Sequence, residues 1–176
     1  DYIGSTHGSV VVDKQGLVYV STDGPNNLAV FNSDGKFVKS FGKHTKRFHG
    51  MTIVESNGEE IIYGASMSKV VKVNLKSEAV LTLEGAKQTK GNQWKRATAV
   101  AVAPNGDIYI ADGYGSSRIF QYNSKGEFIR TFGIRGKKDG QFVTSHGLII
   151  DSRNPEKPVL LVADRENRRL QVFDLN

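Results

Sequence analysis

The chain contains no cysteine. Disulfides are excluded, and so are thiolate metal sites. Any transition-metal site must use histidine and carboxylates, and only 4 histidines are available. Long apolar runs are missing as well. Nowhere do about 18 apolar residues follow one another, the length a membrane-spanning helix needs, so insertion into a membrane is not expected. Helical periodicity is scarce, since no capped stretch with apolar residues three and four apart is long enough to compete with strands. The opening "DYIGSTHG" has no Met, no basic n-region and no apolar h-region, so no signal peptide is expected there. A concentrated charge patch is also lacking. The formal net charge of +6 would favour a polyanion. The basic residues are scattered, however, and the densest runs, "RGKK" (135–138) and "RENRR" (165–169), fall in turns. A solvated surface is the expectation, and nucleic acid is not an expected partner.

What is present is repetition. The 176 residues suffice for one domain, and 19 glycines, 38% hydrophobic and 24% charged residues suit a turn-rich globular one. Four segments superimpose: His7 to Gly42, His49 to Leu83, Ala97 to Gly133 and His146 to Asn176. Each begins with a short apolar run ("VVV", "TIV", "VAV", "LII") and a polar turn. A second run follows ("LVYV", "IIYG", "DIYIAD", "LLVAD"), then a third ("LAVF", "VVKV", "RIFQY", "RLQVF"). Turns such as "NSDGK" and "NSKGE" lead to a fourth ("FVKSFG", "FIRTFG"). Runs of four to six residues rich in Val, Ile, Tyr and Phe, split by Asn, Asp, Ser and Gly, are strands joined by hairpins. In "NSDGK" and "NSKGE" the glycine stands where the turn needs a positive φ.

Four antiparallel strands recurring at roughly 40–50 residues are a signature of β-propeller blades. One such sheet cannot bury both faces and must stack on the next. The expectation is an all-β fold, a single domain with blades at about 7–42, 49–83, 97–133 and 146–176. The chain starts near the first strand of one copy and stops after the third of another. It therefore reads as consecutive blades of a larger, incomplete ring.

The innermost strand of each blade lines the channel, so equivalent positions form a ring at one height. His49 and His146 open their first strands in matching register. His7 does so one residue off, and the third copy has Thr98 there. Neutral imidazoles converging from separate blades suit Zn, Fe, Ni or Cu, and three histidines with an open position are the pattern of catalytic zinc. Two histidines sharing an ion would approach within about 3–4 Å, since each Zn–N bond is about 2.0–2.1 Å. The bland alternative is His-Gly as a strand opening in which His caps a turn. His44 lies in a loop-like stretch and receives no role. Asp112 and Asp164 share the position after the second strand and are expected to accept backbone N–H groups of their turns.

These repeats resemble NHL repeats. From Trp94 to Phe173, "AVAPNGDIYIADGYGSSRIFQYNSKGEFIRTFG", "GQFVTSHGLIID" and "LLVADRENRRLQVF" are similar to the lyase domain of the peptidylglycine α-amidating enzymes and its bacterial relatives. "FHGMTIV" fits the preceding blade of that family. The resemblance is specific over Trp94 to Phe173 and weak over residues 1–45.

It implies a six-bladed NHL propeller, of which this chain supplies about four blades. It also implies cleavage of a peptidyl-α-hydroxyglycine to a peptide amide and glyoxylate. Zinc in the channel would be held by three histidines, with a structural calcium nearby. His49 and His146 match two of the zinc ligands, Tyr114 the tyrosine proposed as base, and Arg165 an arginine beside it. Met51 matches a carbonyl near the calcium. The resemblance favours an extracytoplasmic or secreted location. Departures are present: the third histidine falls beyond residue 176, and His7 either replaces a ligand or marks a different site. A second active-site arginine would fall near Thr22, and Gly115 replaces one of two cysteines beside the tyrosine in animal members.

The chemistry is self-consistent. Removing the hydroxyl proton lets the carbinolamide collapse, helped by a Lewis acid on its oxygen and a base close by. Free tyrosine, with a pKa of about 10, is a poor base at neutral pH. A neighbouring arginine and a dication both favour the phenolate. Tyr114 otherwise reads as a rim residue packed on the next blade, and Arg165 as an ion-pair partner of a nearby carboxylate. The competing function is a non-catalytic NHL propeller whose rim binds a protein, peptide or RNA. A lactonase-type hydrolase would want a calcium cage of Glu, Asn and Asp at the strand starts, where this chain has His and Thr.

Overall fold

The computed structural model describes residues 4–6, 8–42, 47–76, 79–88, 91 and 93–175. His7 and His44 lie outside these described residues. The first sheet is β1 (Val10–Val12), β2 (Val18–Ser21), β3 (Leu28–Phe31) and β4 (Phe37–Phe41). The second is β5 (Gly50–Ser56), β6 (Glu59–Ser66), β7 (Lys69–Asn74) and β8 (Ala79–Glu84). The third is β9 (Ala99–Val102), β10 (Ile108–Ala111), β11 (Ile119–Tyr122) and β12 (Phe128–Phe132). A short parallel pair, β13 (Ile134–Arg135) with β14 (Gln141–Phe142), leads into the last sheet. That sheet is β15 (Ser145–Asp151), β16 (Val159–Asp164) and β17 (Arg169–Asp174). Pairing within each blade is antiparallel and sequential, the meander expected of a propeller blade. No α-helix occurs among the described residues, and no helix is long and apolar enough to cross a membrane.

The hairpin turns owe their shape to two residue types. Asn32 Oδ1 accepts the N–H groups of Asp34 (3.1 Å) and Lys36 (2.8 Å). Asn123 Oδ1 does the same for Lys125 (3.0 Å) and Glu127 (2.9 Å). Gly35 (φ 76°) and Gly126 (φ 84°) supply the left-handed residue each turn needs. Both turns join strands that slip by one residue, at Val30/Phe31 and at Gln121/Tyr122.

Blade stacking follows from the burial pattern. β10 and β11 are buried at every residue, because the third sheet has a neighbour on each face. β1 and β17 alternate buried or half-buried residues with exposed ones. Three apolar clusters fill the spaces between successive sheets. Tyr19, Leu28, Phe48 and Ile62 lie between the first and second. Tyr63, Trp94, Ile110 and Phe120 lie between the second and third. Tyr109, Ile119, Phe142 and Leu160 lie between the third and fourth. Each fully buried Phe, Leu or Ile contributes about 1.5–3 kcal/mol, so inter-blade packing dominates stability. Trp94, fully buried, donates Nε1–H to the Tyr122 hydroxyl at 3.1 Å. The inner strands β1, β5, β9 and β15 lie side by side in that order. Their first residues therefore share one end of the molecule.

Candidate functional site

The ladder register sets the height of each inner-strand residue. His49 N–H donates to Ala65 O (2.7 Å), and Thr98 N–H donates to Ala111 O (2.9 Å). Gly50 pairs with Ala65, Ala99 with Ala111 and Gly147 with Ala163. His49, Thr98 and His146 each stand one residue before that pair, at one level of the ring. His146 sits at a register irregularity between Ser145 and Gly147. In the first blade Ser21 N–H reaches Ser9 O, so Gly8 holds the equivalent place.

The two histidine rings meet edge to face, with centroids 4.9 Å apart. Tyr114 joins them, its ring centroid 5.3 Å from His49 and 5.5 Å from His146. His49 Nδ1 lies 2.8 Å from the Thr98 carbonyl. A carbonyl only accepts, so Nδ1 carries a proton, and in the neutral ring Nε2 is the ligating nitrogen. Arg165 Nη1 donates to the Tyr114 oxygen at 3.1 Å. That oxygen lies 2.9 Å from His146 Nε2. Arginine has no acceptor, so the proton order runs from Arg165 to Tyr114 to a neutral His146. Burial holds the His146 imidazolium below its ordinary range, and His49 and Arg165 push the same way against the opposing pull of Glu166.

Arg165 occupies a 3-10 turn, Arg165–Asn167, directly after β16. Its Nε donates to Glu166 Oε1 at 2.9 Å, so its charge is largely answered by that carboxylate. Tyr114 occupies the matching turn after β10. Gly113 makes this turn possible: a Cβ there would stand 2.0 Å from the Ser145 carbonyl of the next blade. Asp112 is buried and accepts the N–H groups of Lys95 (3.1 Å), Arg96 (2.7 Å) and Ser116 (2.8 Å). Asp164, also buried, accepts Val143 N–H at 2.8 Å and the side chains of Asn167, Arg169 and Gln171. The carboxylates are structural, as expected. Their backbone donors come largely from the segment entering the inner strand, and only Ser116 belongs to the turn itself.

Around this cluster is a cavity of about 430 Å³, with His49, Met51, Thr98, Tyr114, His146 and Leu148 in its wall. Met51 N–H donates to Ser9 Oγ at 2.7 Å. A larger cavity, about 890 Å³, opens at the far ends of the same strands, lined by Thr52, Glu55, Lys72 and Ser152. It carries none of the candidate residues. Thr22 caps its own turn, donating to Asn26 O at 2.8 Å and accepting Gly24 N–H at 3.2 Å, and brings no cation.

One residue escaped sequence reasoning. The Arg96 guanidinium lies 5.6 Å from the Tyr114 ring centroid, close to the 5.4 Å of Arg165. The second copy has Arg47 at the equivalent place, two residues before His49, so the repeat gave no reason to single out Arg96. The pairing of Tyr114 N–H with Arg96 O (3.4 Å) is visible only in the fold.

The NHL repeat profile matches residues 95–122, the core of the third blade. The chain is 31% identical over 153 residues to a probable peptidyl-alpha-hydroxyglycine alpha-amidating lyase of Caenorhabditis elegans, across 83% of this chain and 42% of that protein. It is 29% identical over 189 residues to human NHL repeat-containing protein 3, across 99% of this chain and 53% of that protein. The chain thus spans about half the length, or less, of these relatives. Among solved structures it is similar to a streptogramin B lyase, with a TM-score of 0.62, 16% identity, and coverage of 95% of this chain and 54% of that one. That likeness shows the fold. Blade grammar, stacked sheets and these comparisons agree: the chain is an NHL-repeat β-propeller that resembles the peptidyl-α-hydroxyglycine α-amidating lyases.

Proposed function

We propose that this chain carries part of the active site of a zinc-dependent lyase. Its reaction would convert a peptidyl-α-hydroxyglycine to a peptide amide and glyoxylate. The observation that carries the reading is the hydrogen-bond chain from Arg165 through Tyr114 to His146, with His49 alongside. The donor set fits zinc in part. His49 and His146 present imidazoles at one level, and they would hold the ion as neutral ligands. No group of three or more potential ligands occurs among the described residues, so a further ligand is required. Zinc, when bound, would supply Lewis-acid polarisation of the substrate hydroxyl. Calcium at the Met51 carbonyl belongs to the same proposal and rests on the resemblance alone.

The chain's own residues do the rest. Arg165 donates to the Tyr114 oxygen, which stabilises negative charge there. Tyr114, as its phenolate with its own proton given up to solvent, would take the hydroxyl proton of the substrate. The C–O bond becomes C=O, the C–N bond breaks, and the proton passes to the departing amide nitrogen. Atoms balance without an added reactant. Thr98 holds His49 in one tautomer through its carbonyl, a role that supporting residues play in metal sites.

Glyoxylate release by the full-length protein with zinc tests this. Y114F should lower kcat by about 10²–10⁴-fold, the range for losing a general base. H49A and H146A should each lower bound zinc. Unchanged metal content in both would remove the basis of the reading. The length-wide match to NHL repeat-containing protein 3 favours a second reading, a non-catalytic propeller that binds a protein or peptide. Glyoxylate formation that vanishes in Y114F decides against it.

A further inference from the structure

We infer that Arg96 is the anchor for a substrate carboxylate, a specificity-determining residue beside Tyr114. The inference takes the identity of the anion from the lyase reading; the site itself stands on geometry. A hydroxyglycine ends in a carboxylate, so its site needs a cation next to the base. Arg165 is poorly placed to serve. Its Nε faces Glu166, its Nη1 is spent on Tyr114, and its charge is largely answered. Arg96 differs on each count. Its side chain is exposed, and no carboxylate among the described residues pairs with it. Among the described residues its side chain lies over the face of Tyr114. A stacked guanidinium keeps its in-plane N–H fork available for two-point recognition of a carboxylate.

The backbone beneath it is fixed. Arg96 N–H donates to the buried Asp112 at 2.7 Å, and Arg96 O accepts Tyr114 N–H at 3.4 Å. Two residues on, Thr98 O holds His49 Nδ1 at 2.8 Å. One short segment therefore ties the proposed anchor, the base and a metal-site histidine together. The only side-chain freedom needed is that of an exposed arginine swinging along the ring face.

Calorimetry on the full-length protein with its own metal complement tests this. The probes are N-benzoylglycine, a non-reacting carboxylate, and N-benzoylglycinamide, its neutral counterpart. Wild type should bind the carboxylate roughly 10- to 100-fold more tightly, the worth of one charge-assisted hydrogen-bond pair. R96Q should erase that preference while leaving the amide unchanged. R96K, which keeps charge without the fork, should restore part of it. A preference that survives R96Q overturns the inference and leaves the lyase reading intact. Equal affinity of wild type for both probes overturns it too. If R96Q erases the preference but no glyoxylate is released from an N-acyl-α-hydroxyglycine, Arg96 stands as an anion anchor and the lyase reading falls.

Discussion

After β10 the chain turns through Asp112, Gly113 and Tyr114; after β16 it turns through Asp164, Arg165 and Glu166. Both aspartates are buried, and each accepts the N–H of the segment leading into its own inner strand. The turns differ in what else answers the charge. Every donor to Asp112 is a backbone N–H. Asp164 takes one backbone N–H and the side chains of Asn167, Arg169 and Gln171. The carboxylate is thus the constant part of the turn, and the residues after it are free to vary. In one blade that freedom displays a tyrosine, in the next an arginine, and stacking brings the two within 3.1 Å.

The comparison breaks most sharply at Asp164. Its side chain is wholly buried and forms an ion pair with Arg169 at 3.0 Å. D164A removes the partner of Arg169 Nε and an acceptor of three other donors, although Arg169, Asn167 and Gln171 each keep a further acceptor. We expect a loss of about 3–5 kcal/mol in denaturant unfolding, the cost of removing one partner of a buried pair. D112A leaves three backbone N–H groups without their acceptor but no stranded charge. Its expected loss is smaller, about 2–3 kcal/mol. If D112A proves the worse of the two, backbone satisfaction outweighs the ion pair and the contrast is reversed.

A third change probes the ring level shared by His49, Thr98 and His146. Thr98 Oγ1 lies 2.7 Å from Ser145 O and 3.2 Å from Ala111 O, a link from the third blade to the fourth. T98V keeps the shape and removes the hydroxyl. It should cost about 1–2 kcal/mol, since a buried carbonyl loses a donor. The Thr98 carbonyl, which holds His49, is unaffected, so the zinc affinity proposed for this site should hold. A fall in affinity of tenfold or more would show that the inter-blade link itself sets the histidine geometry.

Much of this was legible in the residues. "NSDGK" and "NSKGE" announced turns because asparagine and glycine have specific local jobs there. The apolar runs announced strands, and matching registers put His49 and His146 at one height. Asp112 and Asp164 read as structural because they recur after the same strand. Three features were hidden. β13 and β14 are too short to carry a pattern. Arg96 meets Tyr114 across two segments of one blade, a contact that depends on Asp112 folding the entry segment against the turn. The orientation of His49 depends on Thr98 O, and a backbone carbonyl leaves no mark in side-chain identity. Repetition reveals the places that blades share, whereas the contacts between those places appear only in the fold.

The smallest expected effect comes from a second Asp–Arg pair in the fourth blade, Asp151 with Arg153. Arg153 Nη2 meets Asp151 Oδ2 at 2.6 Å, a shorter contact than that of Asp164 with Arg169. Distance alone would rank it the stronger. Exposure reverses the order, for the Arg153 side chain is 90% exposed and the Arg169 side chain 27%. The guanidinium and then the backbone N–H of Arg153 hold the Asp151 carboxyl down at about 2. A depressed carboxylate stabilises the fold above its unfolded value of about 3.9 and loses that contribution as pH falls toward the folded value. R153A should therefore raise the Asp151 midpoint part of the way, since the backbone N–H remains, as followed by NMR titration. The unfolding midpoint at pH 7 should barely move, because water screens the pair. A loss at pH 7 as large as that of D164A would mean that proximity, rather than burial, decides what an Asp–Arg pair is worth in this blade.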